Sequence, residues 1–394
     1  MSDKQPQAAT VFGLRLFDLI VLMIAAILVV AVLIVWYFVS PARLGKMVAY
    51  LAPASGDVPN IWLVPVDNPD DARQVTFVEM GIYDFDVDGR GQTIAYSARD
   101  EVQRARDIYT LDLTTGVERR VTFCGEENAE CYTPAFHPDD PVIAYVRVEN
   151  GIQATGGSAG APRVWVLDLV TGTERQLAPD SQLIGHSPIW SDSGDTIVFY
   201  SADLANPGVL VYNFNPQVRE TQTLNFVPAS NGSVGSLSPN GLRLIVPDIV
   251  QRESQIFTYL KLVDFREDPV VFTNFTDPNG VTDDIVSSWH PDGQRITVGR
   301  RYTDERWTRG YQLFEIDVNT GEITTLLFDE RFGHYYFDWD NEGEDLLMQR
   351  LPILAEDGSI NNLARPEVWV MNYETGDLIR VADSAYYPRW VLPR

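Results

Sequence analysis

The chain has 394 residues, 45% hydrophobic and 22% charged, with 55 acids against 30 Lys and Arg and a formal net charge of -25. That balance excludes a nucleic-acid phosphate backbone as partner, because such binding rests on cationic side chains that displace counterions. Two cysteines and no CxxC pair are too few for a structural zinc site, and the surface tolerates cations or basic proteins.

Residues 1–18 form a short N-terminal tail. Residues 19–39 (LIVLMIAAILVVAVLIVWYFV) follow without a single charge, long enough as a helix to cross ~30 Å of hydrocarbon. Trp36 and Tyr37 stand where an aromatic belt forms. Val39-Ser40-Pro41 is a poor small-residue cleavage site, so the run reads as a signal-anchor and not as a cleaved signal peptide. Lys4 and Arg15 on one side nearly balance Arg43 and Lys46 on the other. The expected orientation is N-terminus cytoplasmic and body extracytoplasmic, because a short tail stays put and a cysteine pair suits an oxidising side. The alternative is a cytoplasmic-facing body on the same tether.

A linker over 40–46 leads to strands predicted at 47–53, 60–66 and 73–77, a repeat that lacks its first strand. The next unit has strands within 83–100, 107–116 and 119–123. Cys124 and Cys131 lie seven positions apart just beyond it, and a local disulfide across that loop is the preferred reading. Further copies begin at 134, 188 and 235. The sixth, 287–328, shows the pattern most fully: a strand ending at Trp289, the turn Pro291-Asp292-Gly293, two more strands, and the turn Asn319-Thr320-Gly321 before the last. A seventh occupies 337–381, and residues 388–392 repeat an opening strand and then stop. Taking Phe85, Phe136, Trp190, Leu237, Trp289, Trp339 and Trp390 as anchors gives spacings of 51, 54, 47, 52, 50 and 51. Such units cannot bury their apolar faces alone. The expected fold is therefore all-β: a seven-bladed propeller over 47–394, of four-stranded antiparallel blades, closed by the C-terminal strand and preceded by one transmembrane helix.

The aromatic, the SPDG-like turn and the VWVLDL-TG hairpin resemble the WD40-like (PD40) repeats of the TolB-type propeller family. The match is best at Ser191-Asp192-Ser193-Gly194, Ser238-Pro239-Asn240-Gly241 and His290-Pro291-Asp292-Gly293, and looser at residues 340–343. The resemblance covers nearly everything after residue 46 and implies the fold. It does not carry over the role of TolB itself, which resembles a six-bladed ring behind a separate N-terminal domain. Propellers of this family serve as interaction modules, as gates beside peptidase domains, and occasionally as enzymes.

In such a ring the SPDG and TG turns close one face, while the inserts between second and third strands and the links between blades share the other. Unequal inserts at 147–163, 250–254, 300–311 and 350–366 make that loop face the expected binding surface. Arg300, Arg301, Tyr302, Arg306, Trp307 and Arg309 crowd basic and aromatic groups into one insert and form the candidate interaction site, unless the arginines pair with acids such as Asp304 and Glu305. The Gly-rich stretch 151–160 reads as a solvated loop. Asp283 and Asp284 with Glu126, Glu127 and Glu130 suggest a weak calcium reading without EF-hand spacing.

His137 and His290 take the Ser position of the turn and fall on the turn face, whereas His186 and His334 precede first strands on the loop face. The four cannot form one cluster. No G-x-S-x-G elbow, P-loop or Rossmann fingerprint is present. Asp84, Asp86, Asp192, Asp338 and Asp340 lie on or beside strands around the central channel, and carboxylate pairs there are the remaining catalytic reading. These observations predict a non-catalytic scaffold that binds a protein partner through its loop face and needs no cofactor. The alternatives are a glycan-active lyase or glycoside hydrolase with its site in the loop-face funnel, and an extracytoplasmic sensor of a small-molecule ligand.

Overall fold

The computed structural model describes residues 45–392 apart from 100–104, 151–159, 179–182, 202, 216–219 and 268–269, together with 10–11 and 14–15. Two compact units are present, Met1–Leu44 and Gly45–Arg394. In the first, Thr10–Val11 pairs antiparallel with Leu14–Arg15. The predicted membrane span over 19–39 lies outside the described residues. Among the described residues no helix is long and apolar enough to cross a membrane.

The second unit contains seven four-stranded antiparallel sheets, six of them formed from strands consecutive in sequence. The exception is blade 1, where the C-terminal strand Tyr386–Val391 pairs with Met47–Ala52, so the two ends of the unit share one sheet. Trp390 lies opposite Val48 there, as Trp289 lies opposite Ile296 in blade 6.

Sequence pattern and burial agree blade by blade. Second strands such as Val142–Glu149 and Thr196–Ser201 are buried almost throughout, because a neighbouring blade covers each of their faces. They read as unbroken apolar runs for that reason and do not alternate. Outer strands such as Val271–Asn274 and Glu118–Arg120 are largely exposed. A threonine after several outer strands ties them inward: Thr76, Thr122 and Thr276 accept the N–H of Ile61, Ile108 and Leu260 at 2.8, 2.8 and 2.9 Å.

The first turn of each complete blade is set by one residue. The N–H groups of Ser191, His290 and Asp340 donate to the carbonyls of Thr196, Arg295 and Asp345 at 2.9 to 3.0 Å, and Asp88 donates to Thr93 in the same way at 2.9 Å. Asp88 is thus the counterpart of Ser191, and Val87 fills the anchor position. This corrects the choice of Phe85, which lies two residues earlier and packs edge-on against Tyr387 at 5.6 Å. An aromatic drew the alignment to itself where blade 2 uses a valine.

Adjacent blades are joined by repeated contacts. Trp190, Trp289 and Trp390 donate their indole N–H to the carbonyls of Ala135, Ser236 and Asp338 in the preceding blade at 3.1, 2.8 and 3.2 Å. The last of these crosses the closure, so the ring is sealed with the same geometry used within it. Lys46 reinforces that junction by reaching Asp340 and Asp345 at 2.5 and 2.7 Å.

Strand direction assigns the faces. Met47–Ala52 runs from the turn face to the loop face.

Candidate interaction surface

The insert of blade 6 is built differently from the exposed basic cluster that its composition suggests. Arg300 and Arg301 belong to the strand Arg295–Tyr302. Arg300 is buried, with Nε and Nη2 donating to Asp284 at 2.7 and 3.1 Å. Arg301 reaches Asp283 at 2.9 Å, and the Tyr311 hydroxyl donates to the same carboxylate at 2.6 Å. Arg306 pairs with Asp304 at 2.5 Å and lies 3.7 Å over the Tyr302 ring. Those three guanidinium groups are directed to internal acceptors. Trp307 remains 53% exposed. Arg309 is exposed and has no ion-pair or hydrogen-bond partner among the described residues. The loop is pinned beneath them: Thr308 is buried and donates to the Gly310 carbonyl at 2.8 Å, and a Cβ on Gly310 would meet Gly333 Cα at 2.5 Å.

The acids proposed for calcium are each committed elsewhere. Asp283 and Asp284 hold arginines of blade 6, whereas Glu126, Glu127 and Glu130 contact Arg120, Arg147 and Arg106 between blades 2 and 3. Among the described residues no three His, Cys, Asp or Glu side chains are grouped to hold a metal ion. Cys124 and Cys131 are joined as a disulfide with Cα atoms 6.0 Å apart, and both are buried. Asp107 beneath them accepts from Cys124 N at 2.6 Å, Thr122 Oγ1 at 2.9 Å and Arg120 Nη2 at 2.8 Å.

The histidines separate as expected, and each has a packing role. His137 and His290 place Nε2 at 3.1 and 3.3 Å from the carbonyls of Gly194 and Gly343 in the next blade, and each ring packs edge-on against that blade's tryptophan. His186 contacts the Ser187 hydroxyl at 2.9 Å and packs on Tyr200. His334, fully buried, meets the Tyr311 carbonyl through Nδ1 at 2.8 Å, and burial lowers its pKa to about 4.

A central cavity of about 860 Å³ is lined by the inner strands and reaches Gly89, Pro138, Asp192, Pro239, Pro291 and Asn341 of the first turns. Its lining reaches the first turns of the turn face, whereas a funnel was expected on the loop face. Asp86 lies 3.7 Å from Arg389, whose guanidinium also covers the rings of Tyr336 and Tyr387. Burial raises the Asp84 and Asp86 carboxyls, but both also accept backbone N–H groups of blade 3, Thr133 at 3.0 Å and Phe136 at 2.8 Å. Asp340 is buried against Lys46. Asp338 is pushed up to about 7, first by burial and then by the charges of Asp192 and Asp86. The described residues assemble no nucleophile–base–acid triad.

Reasoning from sequence named Trp307 but missed the other apolar residues of the loop face. Val58, Met80, Ile256 and Leu363 stand exposed with it at the tips of inserts and links. An exposed acid lies within three positions of the first four, in Asp57 beside Val58, Glu79 beside Met80, Glu253 near Ile256 and Glu305 near Trp307, and Glu356 lies on the same insert as Leu363. That acid-plus-apolar pairing is visible in the letters, but only burial separates it from the many similar pairs inside strands.

No protein-family model matches this sequence, and no curated protein matches it. Solved structures resemble it in fold. A variant puromycin hydrolase complexed with PGG aligns with a TM-score of 0.59 at 12% identity, over 86% of this chain and 52% of that one. A puromycin-hydrolyzing peptidase from Mycobacterium tuberculosis aligns with a TM-score of 0.56 at 12% identity, over 90% and 55%. TolB from Acinetobacter baumannii aligns at 0.49 and 16% identity, over 89% and 68%. The chain spans about half the length of the two peptidases. At these identities the likeness to the two peptidases is one of fold alone.

Proposed function

We propose that the protein is a membrane-anchored scaffold, tethered by residues 19–39 with its propeller extracytoplasmic, that docks a protein partner on its loop face. The observation that carries this reading is Trp307. It is half exposed on an insert that buried Thr308 and Gly310 hold to the rigid ring, the kind of anchored aromatic that dominates interface energy.

Purification of the full chain from detergent-solubilised membranes is expected to retain a stoichiometric protein partner that is lost with Trp307→Ala. Turnover of a glycan or peptide by the full chain, with no partner retained, would overturn the reading. For the topology, Cys124 and Cys131 in denatured cell extracts should resist maleimide until reduced; immediate labelling would place the body on the reducing side.

A further inference from the structure

From the chemistry of the loop face we infer the kind of partner it takes: a protein presenting basic side chains around an apolar patch, seated on the arc that runs from blade 5 through blades 6 and 7 to the link between blades 1 and 2. This inference rests on the docking role proposed above and specifies its occupant.

Two observations define the arc. The exposed apolar tips Ile256, Trp307, Leu363, Val58 and Met80 follow one another around it, on blades 5, 6, 7 and 1 and the link after blade 1. The inserts that carry them are in contact at the ring closure, where Arg365 of blade 7 donates to the Ser55 carbonyl of blade 1 at 3.2 Å. Apolar groups held at the ends of short anchored loops remain exposed at little entropic gain to the free protein, and their burial against a partner removes apolar area from water.

The second observation concerns charge. Nearly every arginine of the arc is already held by an acceptor within the molecule, Arg300 and Arg350 in its interior and Arg306 and Arg331 at its surface. Arg252 donates to the Thr282 carbonyl at 2.7 Å, Arg331 and Arg350 converge on Asp329 at 2.9 and 3.1 Å, and Arg300, Arg301 and Arg306 hold Asp284, Asp283 and Asp304. Arg309 alone among them has no such partner among the described residues. By contrast Asp57, Glu79, Glu253, Glu305, Glu330 and Glu356 are exposed and form no ion pair among the described residues. The arc therefore presents carboxylates between apolar tips, although its composition includes many arginines. A basic surface complements this charge and is steered to it, and an acidic one is repelled. A small cation would use the carboxylates but leave the apolar tips in water, so the pairing of the two selects a protein surface.

The test uses the full chain in nanodiscs of zwitterionic lipid and two synthetic amphipathic helices with the same apolar face, one with Lys and Arg on its polar face and one with Glu. Fluorescence anisotropy is expected to show the basic helix binding about tenfold or more tighter than the acidic one, with affinity falling as salt rises. Reversal of three arc acids (Glu79→Lys, Glu305→Lys and Glu330→Lys) should weaken it about tenfold. The same change in charge on the turn face (Glu322→Lys, Glu342→Lys and Glu374→Lys) should shift it less than about twofold, and Trp307→Ala should weaken it about fivefold or more. Equal weakening by the two triple variants would mean diffuse attraction to an acidic chain and would overturn the proposal. Equally tight binding of the acidic helix, lost with Trp307→Ala, would overturn the assignment of charge while the docking face stands. Binding of neither helix to the arc would overturn both.

Discussion

The turn face and the loop face are made by the same seven sheets and differ in almost everything else. On the turn face one solution is repeated: a residue such as Ser191, His290 or Asp340 closes the turn, a glycine with φ near +70° completes it, and a side chain crosses to the next blade. On the loop face each blade is built once. Blade 5 has the tight hairpin Arg252–Gln255, whereas blade 7 carries an insert of 14 residues, 353–366, with a single internal bridge between Leu354 and Ile360. Repetition marks the places where the chain must solve one packing problem seven times, and departure from it marks the places free to bind.

The largest effect expected beneath the loop face is from Asp284→Ala. It leaves Arg300 buried without its carboxylate, which costs about 3–5 kcal/mol in urea or guanidinium unfolding of the full chain. A loss below about 1 kcal/mol would mean that the strand Arg295–Tyr302 does not depend on this pair.

Next is the dependence on pH through His334. Its pKa is depressed from the ordinary 6.5 to about 4, so between those values the unfolded chain binds the proton more readily than the folded one. The contribution is intact above about pH 6.5 and is lost as pH falls, reaching roughly 3 kcal/mol below pH 4. Asp338 acts in the opposite sense, since a carboxyl raised to about 7 gains stability as pH falls below that value. The two are separated by comparing stability at pH 4.5 and 7.5 in His334→Asn and Asp338→Asn. The first should lose much of the destabilisation by acid and the second should deepen it.

On the turn face, Gly343→Ala sets a left-handed φ of +71° against a Cβ that would approach His290 at 2.6 Å. The expected cost is about 2 kcal/mol. Gly376→Ala has a similar φ of +73° but open space around its Cβ, so it should cost less. Equal losses in thermal unfolding would show that the contact between histidine and the next turn carries no energy of its own. The smallest effect on stability, within about 0.5 kcal/mol, is expected from Trp307→Ala and Leu363→Ser, because both side chains stand in solvent. These two should instead alter partner retention, and a large loss of stability from either would identify it as scaffold.

The repeat was legible in the sequence because strand length, turn chemistry and the spacing of tryptophans are local properties, copied from blade to blade. The single misplacement, Phe85 for Val87, arose where the anchor is not aromatic and only the hydrogen bond from Asp88 to Thr93 gives the register. The candidate cluster was misread in character. Composition marked 300–311 as basic, but whether a guanidinium faces water or a carboxylate depends on partners brought from Asp283 and Asp284 on the neighbouring strand.

By itself, then, the sequence determined the number of blades, the strand that closes the ring and the division into a repeated and an irregular face. Each of these follows from a repeat of about fifty residues, complete in the middle of the chain and split between its two ends. The tertiary structure decided which charges are spent inside the molecule and which are left for another, because pairing across strands and blades links residues whose separation along the chain carries no signal. On this chain that decision leaves the loop face with exposed carboxylates and apolar tips, and pairs most of its arginines with partners of their own.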